Sequence, residues 1–384
     1  MKSFEFVLPT RIKFGEKVSG DIAGELKALG KSRPYIITDK GLVSAGIVGR
    51  ITDALDAGGY PDCRIFDEVE PNPRDTTVGR AYEDAKAYGA DALIAIGGGS
   101  SMDTAKGVGV LLTHGGTIRD YEGLDAVTKP ITDLIAIPTT VGTGSEVTFW
   151  SVITDTDRHF KMSLGSPLVA PKLALVDPLL VATLPPAVVA STGMDALTHA
   201  IEGYTCTLSE PITDACAIYA IKMIGDNIKD AVYTDSIEAK GNMLLASLIA
   251  GIAFGNSDIA GVHCMAEALG GLYDTPHGVA NAVMLPYVME YNYETDLSKF
   301  ANIAVALGEN IDGLSAKDAA WLSVEAVRKL NKALEIPSLK TIVKDAGDLE
   351  DLAQRASVNV SVESNPRKAD AKDFLDIFGK AYSE

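Results

Sequence analysis

Short apolar segments that alternate with helical patterns constrain the first half of this chain most strongly. Residues 34–39, 92–96 and 134–138 read as buried strands, and residues 173–178 add another that ends at Pro178. Helical periodicity separates them, for example over residues 77–88. Apolar strands joined by helices are typical of a parallel sheet with helices on both faces. We therefore expect an α/β domain over residues 1–184.

The pattern becomes helical after the double proline at Pro185 and Pro186. No later segment reads as a strand, so we expect an all-helical domain over residues 185–384. Apolar residues spaced by three and four predict its helices over residues 191–205, 211–233, 237–251, 262–270, 316–334 and 371–382.

Composition narrows the class of partner and the compartment. The chain has 384 residues, 47% of them hydrophobic, which is enough for two cores. Its net charge of −18 disfavours nucleic acid and anionic membrane surfaces as partners. The four cysteines form no Cys-x-x-Cys pair, which indicates free thiols in a reducing compartment. The N-terminus lacks the features of a signal peptide, and the apolar stretch 243–254 is too short and glycine-interrupted to span a bilayer. We expect a cytoplasmic protein.

Three of the five histidines lie in the helical half, in positions that suit a metal ion. His199 follows Asp195 by four residues, so both side chains share one face of a helix. His263 follows a glycine-rich stretch and starts a helix, and His277 lies in a turn before Gly278. One carboxylate and three imidazoles suit Fe²⁺ or Zn²⁺. Polar core histidines without a metal are the alternative. The two other histidines, His114 and His159, read as surface or cap residues.

A glycine-rich turn between a predicted strand and a predicted helix indicates a dinucleotide site. Gly97, Gly98, Gly99 and Ser100 would let backbone N–H groups approach a pyrophosphate at the helix N-terminus. Met102 occupies the third glycine position of the usual fingerprint, so the motif is incomplete. The alternative is a tight turn in which Ser100 caps the helix, with Asp103 as its capping-box partner.

Two further segments support the same site. Asp39 ends the first of these predicted strands, where a carboxylate can accept hydrogen bonds from ribose hydroxyls and repel a 2′-phosphate. This favours NAD over NADP, although a helix N-cap is an equal alternative for Asp39. Residues 138–146 form a second turn rich in glycine, serine and threonine.

Taken together, these motifs resemble the iron-containing, or group III, alcohol dehydrogenases over nearly the whole chain. The resemblance implies a dehydroquinate synthase-like fold, Fe²⁺ (sometimes Zn²⁺) bound by Asp195, His199, His263 and His277, and assembly as a dimer or larger homo-oligomer. It also implies NAD bound by the 97–100 turn and by Asp39, Asn72, Thr139, Thr140, Ser145 and Lys161. The segments that carry it are residues 38–41, 70–73, 97–106, 138–146, 177–178, 193–203, 262–270 and 273–280.

One position departs from that family. Many relatives have a histidine four residues after the third ligand, where this chain has Glu267. Three interpretations are open: Glu267 replaces that histidine as an acid or base, it binds a polar or cationic group of the substrate, or it is structural. Trp150 and Phe254 are candidates for the substrate pocket, with core packing as the alternative.

The activity we expect is hydride transfer between NAD and small primary alcohols or aldehydes, assisted by the metal. A secondary alcohol of the glycerol type is an alternative substrate. A lyase resembling dehydroquinate synthase is another alternative, but it would need a phosphate-binding cluster of Lys and Arg. Between Asp195 and His277 there are only Lys222, Lys229 and Lys240. A non-catalytic binding protein is the last alternative.

Overall fold

A computed structural model describes residues 3–158 and 160–384, so the predicted surface position of His159 lies outside the described residues. The chain divides into two compact units. One contains Val7–Thr140 and Gly144–Thr183, and the other contains Leu184–Glu384 with Val141–Thr143 and the N-terminal residues up to Phe6.

The first unit is built on a six-stranded sheet in which every pairing is parallel, in the order β1-β9-β6-β4-β2-β3. A smaller sheet, in the order β5-β8-β7, contains the antiparallel pair β7 and β8. The strands are β1 Arg11–Phe14, β2 Pro34–Ile37, β3 Arg64–Phe66, β4 Ala92–Gly97, β5 Gly123–Leu124, β6 Leu134–Pro138, β7 Trp150–Asp155, β8 Phe160–Gly165 and β9 Leu173–Val176.

Alternating side chains of the central strands supply two separate hydrophobic cores, one on each face of the large sheet. Leu93 and Ala95 of β4 lie in one core, and Ile94 and Ile96 lie in the other. This follows from the two-residue repeat of a strand, and it explains why β4 reads as a continuous apolar run. The predicted parallel α/β architecture is confirmed.

The helices of the first unit cover the sheet, and the second unit contains helices and no strand among its described residues. In the first unit they are α1 Ile22–Ala28, α2 Lys40–Ser44, α3 Ile47–Ala57, α4 Asp75–Tyr88 and α5 Gly99–His114. In the second they are α6 Pro186–Thr205, α7 Pro211–Tyr233, α8 Ile237–Asn256, α9 Gly261–Tyr273, α10 His277–Asn292, α11 Leu297–Ala306, α12 Ala316–Ala333, α13 Leu339–Ile342, α14 Leu349–Ser357 and α15 Ala371–Ser383.

Prolines explain where two of these helices begin. α6 starts at Pro186 and α7 starts at Pro211, the first helical position, where a missing N–H is no loss. The carboxylate of Glu210 accepts hydrogen bonds from Ile212 N and Thr213 N, and so caps α7. Helix α7 therefore has the predicted bounds.

Helix α8 corrects one expectation from the sequence. The apolar stretch at 243–254 lies in a helix of 20 residues, which is long and apolar enough to cross a membrane by length and composition. However, 61% of its most apolar window is buried inside the protein. Residues that face neighbouring helices on most sides must be apolar, so core packing accounts for the composition of α8.

Candidate metal and dinucleotide sites

Four side chains of the helical unit converge on one point. One ligand atom from each of Asp195, His199, His263 and His277 lies within 4.8 Å of the others. Asp195 and His199 come from successive turns of α6, His263 from the first turn of α9, and His277 is the first residue of α10. The structure thus brings together the four residues that the sequence predicted as metal ligands.

Gly278 lets helices α6 and α10 approach closely enough for this convergence. A Cβ on Gly278 would lie 2.5 Å from the carbonyl oxygen of Ser191, so the start of α10 lies directly against α6. This contact places His277 beside Asp195, with 3.7 Å between His277 Nε2 and Asp195 Oδ1. A larger residue at position 278 would separate the two ligands.

Hydrogen bonds on the outer nitrogens orient two of the imidazoles. Nδ1 of His199 lies 3.2 Å from the carbonyl oxygen of Gly142, to which it donates a hydrogen bond. Nδ1 of His263 donates to Oε2 of Glu202 at 2.5 Å. Each ring therefore presents the lone pair of Nε2 to the cluster, as a metal ligand requires. Burial lowers the pKa of His199 to about 4, which keeps this ring neutral at physiological pH.

Glu202 is a functional residue that the sequence reasoning missed. Besides His263, its carboxylate accepts hydrogen bonds from Ala260 N at 2.9 Å and Val262 N at 2.6 Å, and so caps the N-terminus of α9. Burial raises the pKa of Glu202 to about 7, and the three hydrogen-bond donors offset part of that rise. Its position three residues after His199, on the same helix, was the available signal.

Asn281 is a second residue that was missed. It is buried one turn after His277 on α10, and its side-chain nitrogen contacts three of the four predicted ligands. The spacing of four residues from His277 was the signal in the sequence.

The structure places the predicted pocket residues in different environments. The Phe254 ring stacks on His199, with 4.2 Å between the ring centroids and 15° between the planes. Glu267 is half-buried one turn after His263 on α9, and Asn359 Nδ2 donates to its Oε2 at 2.6 Å. Trp150 belongs to the α/β unit, where its ring covers Gly165 of β8.

The α/β unit brings its two predicted glycine-rich turns together. β4 ends at Gly97, and the backbone N–H of Thr139 donates to the carbonyl oxygen of Gly97 at 3.0 Å. A Cβ on Gly97 would lie 2.3 Å from Ser101 Oγ, and one on Gly98 would lie 3.0 Å from Thr140 Cγ2. Position 97 favours glycine because Ser101 fills the space of a Cβ and the backbone φ is +154°, whereas a Cβ at position 98 would only press on Thr140.

The N-terminus of α5 is suited to a phosphate. Its N-cap residue is Gly98, and within the described residues no side chain makes the capping hydrogen bond. Ser100 therefore does not cap the helix, contrary to the alternative drawn from the sequence. Free N–H groups and the helix dipole favour an anion at such an end. Because β4 and β6 are adjacent parallel strands, this turn lies at the carboxyl edge of the sheet, where ligands bind in such folds.

The remaining predicted cofactor residues fall into three places. Asp39 follows β2 and is the N-cap of α2, with its Oδ1 accepting from Leu42 N at 3.0 Å. Lys161 Nζ donates to Asn72 Oδ1 at 2.9 Å, so these two residues form a pair. Ser145 lies in the turn after β6 and donates to Asp103 Oδ1 at 3.0 Å.

A buried ammonium anchors this second turn to α5. Lys106 is fully buried, and its Nζ donates to Ser145 Oγ at 2.8 Å, Thr148 Oγ1 at 3.2 Å and the carbonyl oxygen of Trp150 at 2.7 Å. Burial lowers the pKa of Lys106 to about 8, although Asp103 and Glu146 oppose the change. Sequence reasoning did not select Lys106, which looks like an ordinary helix residue within the motif.

Comparisons with known proteins agree with this geometry. Residues 9–178 match the family model described as iron-containing alcohol dehydrogenase. Residues 189–382 match the model described as Fe-containing alcohol dehydrogenase family, C-terminal. The chain belongs to the iron-containing alcohol dehydrogenase family.

Relatives support this assignment along the whole chain. A 1,3-propanediol dehydrogenase of Citrobacter freundii is 40% identical over 385 residues, which cover 99% of each chain. An NAD-dependent methanol dehydrogenase of Bacillus methanolicus is 39% identical over 379 residues, covering 98% of this chain and 99% of the relative. A crystal structure of 1,3-propanediol oxidoreductase superposes with a TM-score of 0.96 at 40% identity, covering 99% of this chain and all of that one.

The enzyme is therefore an NAD-linked alcohol dehydrogenase and aldehyde reductase, with Fe²⁺ and NAD as its cofactors. The residues present fit both groups. Three imidazole nitrogens and a carboxylate oxygen are a donor set that Fe²⁺ accepts. The uncapped end of α5, with glycine where a Cβ would clash, fits a pyrophosphate.

Proposed function

We propose that Asp195, His199, His263 and His277 are the iron ligands of this alcohol dehydrogenase. The observation that supports this most directly is the convergence of their four ligand atoms within 4.8 Å, with Asp195, His199 and His263 buried and His277 partly exposed. Bound there, a divalent ion supplies Lewis acidity, which polarises a carbonyl oxygen or lowers the pKa of an alcohol.

The protein's own contribution is to hold the ligands in their neutral, correctly oriented forms. The carbonyl of Gly142 and the carboxylate of Glu202 select the tautomers of His199 and His263. Phe254 covers one face of the His199 ring and excludes water from it. Because the oxidation of an alcohol releases a proton, we expect aldehyde reduction to be the favoured direction near neutral pH.

We propose that NAD binds at the carboxyl edge of the large sheet. The uncapped N-terminus of α5 would hold the pyrophosphate, with Thr139 and Thr140 beside it. Asp39 lies at the end of the neighbouring strand β2, where its carboxylate would accept from the ribose hydroxyls and disfavour NADP. The residues assigned to NAD are Asp39, Asn72, Gly97, Gly98, Gly99, Ser100, Thr139, Thr140, Ser145 and Lys161.

For the substrate, we propose small primary alcohols and aldehydes that carry a second hydroxyl group. Glu267 supports this choice because it is one turn from His263 on α9 and Asn359 holds its carboxylate in place. A fixed carboxylate accepts a hydrogen bond from a hydroxyl and repels anionic aldehydes. The relative named for 1,3-propanediol acts on a diol of this kind.

The metal assignment is tested with the enzyme purified anaerobically, stripped by a chelator and reloaded with Fe²⁺ or Zn²⁺. NADH oxidation is followed with short aldehydes, hydroxyaldehydes, ketones and anionic aldehydes. We expect turnover only after reloading, and none in an Asp195→Ala variant that still binds NAD. Full activity of the stripped enzyme would refute the metal role, and NADH consumed without stoichiometric alcohol formation would point to another reaction.

The role of Glu267 is tested by comparing 3-hydroxypropanal with propanal. Loss of a hydrogen bond to a charged group costs about 1.5–3 kcal/mol, so Glu267→Ala should lower kcat/KM for the hydroxyaldehyde at least about tenfold. The same variant should leave kcat/KM for propanal nearly unchanged. The control is Glu363→Gln, which changes an exposed carboxylate four residues after Asn359. Equal losses with both aldehydes would contradict substrate recognition and favour an acid–base role.

We also propose a homodimer or larger homo-oligomer located in the cytoplasm. Strand β1 is an edge of the large sheet and ends at the exposed Phe14, and Phe4 and Leu8, which precede β1 in sequence, are also exposed. Unpaired strand edges with apolar neighbours favour association with a second chain. The four cysteines are free thiols, which is typical of a reducing compartment. Light scattering after size exclusion would show a monomer if the assembly proposal is wrong.

A further inference from the structure

Asn281 contacts three of the four proposed metal ligands through its side-chain nitrogen. Its Nδ2 lies 2.7 Å from Asp195 Oδ1, 3.1 Å from His263 Nε2 and 3.2 Å from His277 Nε2. These three atoms belong to three different helices, α6, α9 and α10. A single amide group therefore touches one atom from each helix that contributes a ligand.

The oxygen of the same amide lies in a less favourable environment than its nitrogen. Asn281 is completely buried, and its Oδ1 has no hydrogen-bond partner among the described residues. A buried amide with an unsatisfied oxygen is unfavourable for folding, and an apolar side chain of equal volume would avoid that penalty. The asparagine at this position therefore has a local role that a leucine would not fill.

We propose that Asn281 is a positioning residue for the metal, and this inference rests on the proposed ligand set. Its N–H group donates to Asp195 and fixes which oxygen of that carboxylate takes part in the site. Nδ2 also lies against the ligand nitrogens of His263 and His277. The amide therefore covers one side of the cluster formed by Asp195 Oδ1, His263 Nε2 and His277 Nε2.

Glu202 and Asn281 thus act on different parts of the same site. Glu202 bonds to the outer nitrogen of His263, away from the cluster. Asn281 touches the ligand atoms themselves, and His277 lies one turn before it on α10. A change at Asn281 should therefore alter the geometry around the ion directly, which a spectroscopic probe can detect.

The experiment measures Co²⁺ binding to the full chain without NAD or substrate. Affinity comes from competition with a chelator, and geometry comes from the visible d–d bands of Co²⁺. In Asn281→Leu, which keeps the branching at Cγ and removes the donor, we expect binding to weaken about 10–100-fold and the d–d bands to shift or lose intensity. Asn281→Ser, which is smaller and still polar, is measured in its place if the leucine variant does not fold.

Asn331→Leu is the matched control. Asn331 lies on α12 and donates to the carbonyl oxygen of Ala282 at 2.6 Å. Among the described residues its Oδ1 also has no hydrogen-bond partner, and none of its hydrogen bonds there reaches a proposed ligand. This variant should bind Co²⁺ like the wild type, with the same spectrum. Wild-type affinity and an unchanged spectrum in Asn281→Leu would overturn the inference, while loss of binding in Asp195→Ala would show that the site itself stands. Failure of the wild type to bind Co²⁺ would overturn both.

Discussion

Glu146 allows a test of burial in the α/β unit that does not depend on catalysis. The residue is 1% exposed, and its Oε1 has no hydrogen-bond partner among the described residues. Burial raises the pKa of Glu146 from 4.5 to about 7, although its own backbone N–H and the Lys106 ammonium lower it in part. The perturbation is Glu146→Gln, which keeps the shape and removes the charge.

The sign and size of the effect follow from linkage. Because the folded chain binds this proton more tightly than the unfolded chain, the contribution of Glu146 to stability is fully present below pH 4.5 and is lost as pH rises through 7. The gap between 4.5 and 7, at about 1.4 kcal/mol per pH unit, corresponds to about 3 kcal/mol. Glutamine does not ionise, so Glu146→Gln should gain up to that amount relative to the wild type as pH rises from 5 to 8.

Urea unfolding at a series of pH values measures this difference. A Trp321→Phe background leaves Trp150 of the α/β unit as the only tryptophan, so its fluorescence reports on the unit that contains Glu146. Glu83→Gln, at an exposed position of α4, is the control and should show no such trend. The reasoning fails if the stability of Glu146→Gln relative to the wild type does not rise between pH 5 and pH 8.

Three further changes probe the two sites. Glu202→Ala should weaken metal binding about 10–100-fold because His263 loses the acceptor that orients it, and unchanged affinity in a chelator competition would contradict this. Asp39→Ser keeps an N-cap for α2 but removes the charge, so the ratio of kcat/KM for NADPH to that for NADH should rise without a change in Tm. Lys106→Met leaves Asp103 and Glu146 without their counter-ion, so unfolding should become easier by about 3 kcal/mol, and a loss near zero in urea unfolding would refute that role.

The central strands and most helices were predictable because their signals are local. β4 is apolar on both faces, and the spacing of apolar residues in α7 matches the period of a helix. Strand β1 was not predicted, since Arg11, Ile12, Lys13 and Phe14 alternate charged and apolar residues over only four positions. It forms by pairing with Leu173–Val176, a partner far away in the sequence.

The same distinction applies to the metal site. The four-residue spacing of Asp195 and His199 was visible in the sequence because one helix determines it. The contact between Glu202 and His263 joins residues 61 positions apart, and that between Asn281 and Asp195 joins residues 86 apart. Such contacts depend on how α6, α9 and α10 pack, which periodicity does not encode.

The turn after β6 affects what a fragment made of the C-terminal half alone would contain. Residues Val141–Thr143 cluster with the helical unit, although Thr140 and Gly144 on either side belong to the α/β unit. Within the helical unit, the carbonyl of Gly142 receives the Nδ1 proton of His199. A fragment that begins at Leu184 would contain all four proposed ligands and still lack that acceptor. Such a fragment would leave Nδ1 of His199 without this acceptor, and during synthesis Gly142 leaves the ribosome 53 residues before the first proposed ligand, Asp195.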